Sequence, residues 1–146
     1  MRSRMMAAAC FSLMAVIPAL AEQSKSAAKP IKYDVTIQAD GGSYTGTMDL
    51  ATAAGKVSGD MHITKPVEIT GKAAGTSKAG VMKLDFPYRM VQRECDGRIE
   101  MDIKLPAKAA AAPATGAVSI TGCGRTDANK LAGTIELTPQ PAVKKK

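Results

Sequence analysis

Apolar and polar residues alternate along most of the chain from residue 31 onward. In the first run Ile31, Tyr33, Val35 and Ile37 alternate with polar residues. Seven further runs follow the same rule, at residues 44–50, 57–63, 67–73, 82–90, 99–105, 118–120 and 131–137. Because successive side chains of a strand point to opposite faces of a sheet, this period of two predicts about eight antiparallel strands, each with one buried face.

The segments between these runs are short and rich in turn-forming residues. They include Asp40-Gly41-Gly42, Ala53-Ala54-Gly55, residues 75–80 and residues 127–129. Glycines at apolar-face positions permit the bending that a closing sheet needs; they are Gly46, Gly59, Gly71, Gly122 and Gly133. The predicted fold is therefore all-β, a single small up-and-down antiparallel β-barrel or strongly curled sheet over residues 31–138.

The first 21 residues have the pattern of a cleaved export signal. Arg2 and Arg4 precede an apolar run at residues 5–17, and Ala19-Leu20-Ala21 forms a small-residue cleavage site. This run is shorter than the roughly 17–25 residues that span a bilayer, so no transmembrane segment is expected after cleavage. We expect a periplasmic or secreted protein with a disordered linker at 22–30 and a disordered basic tail at 139–146.

Cys95 and Cys123 are the cysteines that remain after signal cleavage. In an exported chain they are expected to form one disulfide. Cys95 has the parity of the apolar face, whereas Cys123 has that of the polar face. A bond between them therefore predicts a β-bulge, either at Asp96-Gly97 or at residues 122–124.

Alternation alone leaves open which face of the sheet is inside. An outer-membrane barrel turns its apolar face toward lipid, with strands of about 9–11 residues and belts of aromatic residues. Most of the runs here are shorter, and the aromatic residues beyond the signal are Tyr33, Tyr44, Phe86 and Tyr88. An apolar interior is therefore the favoured arrangement.

Two sets of residues are candidates for a binding site. The first, which we call the apolar set, consists of Met48, Met61, Met82, Phe86, Tyr88, Met90 and Met101. These side chains form a soft, adaptable surface suited to an apolar ligand, although filling of the core explains them equally well. The second, which we call the arginine set, consists of Arg89, Arg93, Arg98 and Arg125, which lie near the cysteines in the sequence. Guanidinium groups are suited to binding an anion, although neighbouring carboxylates can also form ion pairs with them.

The sequence contains little that predicts catalysis or a cofactor. It has no G-x-S-x-G, P-loop or H-E-x-x-H motif, and His62 beside Asp60 is too small a set for zinc. The net charge is +7, but aromatic residues are 3% of the chain and Trp is absent, which argues against stacking on nucleic acid. We expect no metal, no cofactor, no specific nucleic acid partner and no enzymatic activity.

The expected architecture resembles that of small secreted barrels such as the lipocalin and avidin groups. The resemblance concerns the fold alone, because the chain lacks the tryptophan of the lipocalin G-x-W signature and those that stack on biotin. The favoured function is an exported, non-catalytic binding protein of the cell envelope, with a small hydrophobic or amphiphilic ligand or an envelope component as its partner. The alternative is a structural or protein-interaction module with a packed core. An outer-membrane-type barrel or an enzyme of unknown chemistry is the third reading.

Overall fold

A computed structural model describes residues 29–107 and 112–141. In it, antiparallel strands follow one another around a closed barrel, and the first strand pairs with the last. The strands are β1 (Ile31–Ala39), β2 (Gly42–Ala53), β3 (Lys56–Lys65), β4 (Ile69–Lys78), β5 (Val81–Met90), β6 (Cys95–Lys104), β7 (Ala114–Gly122) and β8 (Leu131–Pro139). The predicted all-β barrel of eight strands is thus confirmed, and its sheet is closed.

The alternation of the sequence is realised with the apolar face inside. Each strand turns its apolar positions into one continuous core, in which Phe86, Met48 and Ile103 are fully buried. No polar or charged residue of the described ranges is buried. This arrangement is the reverse of a barrel that faces lipid, because the charged side chains lie on the outer wall.

Three hairpins close through tight turns of two residues. Their central residues, Asp40-Gly41, Ala54-Gly55 and Ala79-Gly80, all have positive φ. Two successive positive φ values are typical of the type I′ turn, whose twist matches that of the flanking strands. The described residues include no helix long and apolar enough to cross a membrane.

Several boundaries differ from the predicted ones. Residues 75–78 were expected in a link but belong to β4, because the small residues there pair with residues 81–84 of β5. The last strand includes Pro139, one residue beyond the predicted end at 138. The predicted signal peptide, most of the 22–30 linker and Lys144-Lys145-Lys146 lie outside the described residues.

The up-and-down order separates the links into two groups, one at each end of the barrel. The β1–β2, β3–β4, β5–β6 and β7–β8 links share one end, which we call the disulfide end because Cys95 and Cys123 lie there. The opposite end holds the β2–β3, β4–β5 and β6–β7 links together with the start of β1 and the end of β8.

Candidate ligand-binding site

The predicted disulfide between Cys95 and Cys123 is confirmed, with Cα atoms 5.1 Å apart. The β6–β7 ladder is regular up to the pair Gly97 and Gly122. Beyond it Cys123 and Gly124 both have positive φ, and Gly122 exchanges two backbone hydrogen bonds with Arg125.

The predicted β-bulge is wrong, because the β6–β7 ladder has no register shift. Positive φ angles at Gly122, Cys123 and Gly124 instead form a tight turn of the type I′ kind that brings Cys123 beside Cys95. The register shift of the described sheet lies elsewhere, between Thr45 and Gly46 where β2 pairs with β3.

A cavity of about 230 Å³ occupies the disulfide end of the barrel. We call it the end cavity. Its apolar wall consists of Ile37, Ile63, Ile69, Tyr88, Met90, Ile99, Ile120 and Leu131. Its remaining lining consists of Asp40, Tyr44, Arg93, Gly122, Cys123 and Arg125. The surface exposed inside the cavity is about equally polar and apolar; small-molecule sites usually combine an apolar lining with fewer polar groups.

Tyr88 connects the core to this cavity. Its ring lies across from Gly97, where an added Cβ would come within 2.4 Å of the Tyr88 ring and hydroxyl. Gly97 therefore leaves the space that the aromatic side chain occupies. Burial raises the pKa of Tyr88, and nearby Tyr44 acts in the same direction, whereas the charge of Arg125 opposes the rise.

Arg93 and Arg125 lie on the lining of the end cavity. Arg125 contacts Asp40 across the barrel end, with an Nη2–Oδ2 distance of 3.3 Å. Among the described residues, no carboxylate lies within 4.0 Å of the Arg93 side chain. The two arginines and the one aspartate leave a net charge of about +1 on this lining.

The other two members of the arginine set lie outside the cavity. Arg89 faces outward from β5 and pairs with Asp96 at 3.3 Å. Arg98 donates from Nε and Nη2 to both oxygens of Asp85, at 2.5 and 2.6 Å. This hydrogen-bonded pair lowers the pKa of Asp85. The structure therefore divides the predicted anion site into two cavity arginines and two that are paired on the outer wall.

The apolar set is divided in the same way. Tyr88 and Met90 line the end cavity. The other members are at most 3% exposed and belong to the core; they are Met48, Met61, Met82, Phe86 and Met101. Tyr88 and Met90 differ from the other members in their position along the barrel, because they lie at the disulfide end of β5.

A second hollow, of about 750 Å³, is a depression on the outer wall of the barrel. It is formed by small and polar residues such as Thr36, Thr115 and Gly116, and it is open to solvent. On the same wall, His62 contacts Glu68 at 3.1 Å. Within the described ranges, no three potential metal ligands of the His, Cys, Asp or Glu type converge.

Sequence reasoning missed Asp40 and Tyr44 as members of the site. A signal for both was present, because strict up-and-down order places the Asp40-Gly41 turn at the same barrel end as Cys123. Tyr44 has the parity of the inward-facing positions of β2 and lies near that turn.

Comparisons of the chain with protein-family models, with curated proteins and with solved structures found no match.

Proposed function

We propose that the protein is an exported, non-catalytic binding protein of the cell envelope that holds a small hydrophobic or amphiphilic ligand. The observation that carries this proposal is the end cavity, in which an apolar wall opens toward polar side chains at one end of the barrel. An apolar wall supplies affinity, and the few polar groups orient the ligand.

Two features support export to the periplasm or beyond the cell. The first 21 residues have the positive start, apolar run and small-residue cleavage site of a signal peptide. The disulfide between Cys95 and Cys123 suits an oxidising compartment. Under this proposal, the protein binds its ligand outside the cytoplasm.

A structural or protein-interaction module is the second candidate. It is favoured by the dense core, in which Met48, Met61 and Met101 are at most 2% exposed and fill the space between the strands. A barrel of eight strands is just wide enough to be filled by side chains or to hold one small ligand. The two candidates differ in whether the end cavity is occupied in the cell.

Native mass spectrometry of protein purified from the cell envelope tests the proposal. We expect a small molecule to remain bound in the native state and to be released on unfolding. The variant Leu131→Phe narrows the cavity and is expected to lose that molecule, because Leu131 lies on the cavity wall. The control Met48→Leu alters a buried residue that does not line the cavity, and it is expected to retain the ligand.

An unliganded mass would contradict the binding proposal if neutral apolar probes also failed to stabilise the protein. The interaction module would then become the favoured function, with a protein partner as its expected ligand. Equal ligand retention by Leu131→Phe and Met48→Leu would place the bound molecule elsewhere and would contradict the assigned site.

A further inference from the structure

We propose that the ligand of the end cavity is an amphiphile with one carboxylate head group, which Arg93 and Arg125 bind at the mouth while a short apolar tail enters the cavity. This inference rests on the proposed function and adds the charge and the size of the ligand.

The disulfide joins the two backbone segments that carry Arg93 and Arg125. Arg93 lies two residues before Cys95, and Arg125 lies two residues after Cys123. The bond holds the two cysteine Cα atoms 5.1 Å apart, so the segments that carry the arginines are joined across the barrel end. A covalent tie of this kind reduces the ordering that ligand binding would otherwise require.

The charges at the mouth favour an anion. In the part of the chain that the structure describes, Arg93 has no carboxylate within 4.0 Å and Arg125 forms an ion pair with Asp40 alone. A guanidinium donates two parallel hydrogen bonds to a carboxylate, which makes it well suited to this head group. Tyr44 and Tyr88 also line the cavity, and the charge of Arg125 acts on the Tyr88 hydroxyl.

The volume of the cavity limits the tail. At about 230 Å³ it exceeds the volume of an engineered cavity of about 150 Å³ that binds benzene, and it lies below the roughly 300–1,000 Å³ of drug-sized sites. The tail is therefore short. Octanoate is a suitable probe. The comparison compounds are 1-octanol and octylammonium, which have the same chain length but a neutral and a positively charged head group.

The test is isothermal titration calorimetry of these three probes against the exported protein, purified from the envelope. We expect octanoate to bind at least tenfold more tightly than 1-octanol, and octylammonium to bind most weakly. The Arg93→Ala variant is expected to weaken octanoate binding about tenfold, the typical worth of one hydrogen bond to a charged group, and to leave 1-octanol binding unchanged.

Two variants provide matched comparisons. Asp40→Asn frees Arg125 from its ion pair and retains the turn, because Asn-Gly is the preferred type I′ sequence, so octanoate binding is expected to strengthen. Arg89→Ala removes an arginine that forms an ion pair on the outer wall, and it is expected to change the affinity for neither octanoate nor 1-octanol. Methyl signals of labelled methionines locate the probe, since Met90 lines the cavity whereas Met48, Met61 and Met101 lie in the core.

The outcomes separate this inference from the proposed function. Equal binding of octanoate and 1-octanol, or octanoate binding that Arg93→Ala does not weaken, would overturn the carboxylate inference and leave an apolar binding protein. Tighter binding of octylammonium would overturn it as well and assign the head group to Asp40. If none of the three probes bound, the carboxylate inference would fail; the proposed function would fail with it only if the protein purified from the envelope also had an unliganded native mass.

Discussion

Gly97 shapes the end cavity at the scale of a single residue, because it leaves room for the Tyr88 ring. An added Cβ would lie 2.4 Å from the Tyr88 hydroxyl and 2.6 Å from the Thr121 carbonyl oxygen. We therefore expect Gly97→Ala to lower the free energy of unfolding by about 1–3 kcal/mol, as overpacking does. Urea denaturation measures the change. Gly42→Ala is the control, because its Cβ would meet nothing closer than 3.5 Å; equal effects of the two variants would contradict this account.

The ion pair of Arg98 and Asp85 gives a pH-dependent prediction. The hydrogen bond from Arg98 lowers the pKa of Asp85 in the folded state. The ionised carboxylate therefore stabilises the fold above its unfolded pKa, and this stabilisation is lost as the pH falls through the lower folded value. Arg98→Ala is expected to raise the pKa of Asp85 toward its ordinary value of 3.8.

Carboxyl NMR signals follow the titration of Asp85 directly. The stability difference between the wild type and Arg98→Ala is expected to shrink as the pH is lowered below about 4. Arg89→Ala serves as the control, since Arg89 pairs with Asp96 and not with Asp85. An Asp85 pKa that is identical in wild type and Arg98→Ala would show that the pair does not persist in solution.

The division of the arginine set shows what residue-level reasoning from the sequence achieves. Arg89 and Arg98 alternate with buried Tyr88 and Ile99, so parity alone predicts that both face outward. Arg93 and Arg125 lie in links between strands, where parity gives no direction. Their placement on the cavity depends on the backbone of the β5–β6 and β7–β8 links, which the sequence pattern does not specify.

The disulfide is a covalent link between elements at the cavity end. It joins the start of β6 to the turn after β7 across a sequence separation of 28 residues. The chain-entropy model gives a stabilisation of about 3–4 kcal/mol for a loop of this length. We expect the double variant Cys95→Ser, Cys123→Ser to lose about that much unfolding free energy in denaturant titrations.

Reductant provides the matched comparison for the disulfide. Reduced wild type is expected to unfold at the same denaturant concentration as the double variant, and reductant is expected to leave the double variant unchanged. A stability loss well below 1 kcal/mol would contradict the entropic account. A coincident loss of octanoate binding is expected, because the bond also joins the segments of Arg93 and Arg125.

One of the tight turns predicts a substitution that raises the stability of the fold. Ala54 has φ +50° at the first central position of the β2–β3 turn, a conformation that alanine adopts at a cost. Asparagine tolerates this region and precedes glycine in favoured type I′ turns. Ala54→Asn is therefore expected to raise the unfolding free energy by about 0.5–1 kcal/mol. Ala53→Asn, one residue earlier in β2, is the control and is expected to give no gain.

At the scale of elements, the sequence predicted strands better than links. The hairpins at Asp40-Gly41 and Ala54-Gly55 were predictable, because glycine at the second turn position is a local signal. Residues 75–78 were assigned to a link because their glycine, threonine and serine resemble turn residues. They form strand because β5 offers partners for their backbone groups, and this pairing is a tertiary effect.

Closure is the property of the whole molecule on which the other features depend. β8 pairs with both β1 and β7, so the sheet described here has no free edge. Closure was one of two predicted alternatives, because alternation and short links suit a barrel and a curled open sheet equally. The choice between them depends on the curvature that accumulates over all the strands, which no local pattern contains.

The proximity of the chain ends makes closure testable. Tyr33 pairs with Pro139, and the Gln140 N–H donates to the Lys32 carbonyl oxygen at 2.8 Å. A circular permutant that joins residue 141 to residue 29 through a short glycine-rich linker, and opens between Ala79 and Gly80, keeps every strand and every ladder. We therefore expect it to fold as a monomer with its disulfide intact, as measured by circular dichroism and size-exclusion chromatography.

Deletion of residues 131–146 removes β8 and leaves β1 and β7 each with an unpaired edge. Such edges are templates for pairing with other chains, so we expect this truncation to aggregate. Deletion of residues 142–146 alone is the control and is expected to keep the oligomeric state of the full-length protein, because the described ladders end before it. A monomeric, folded truncation without β8 would show that the other seven strands form a stable open sheet, and closure would then not be what holds the end cavity together.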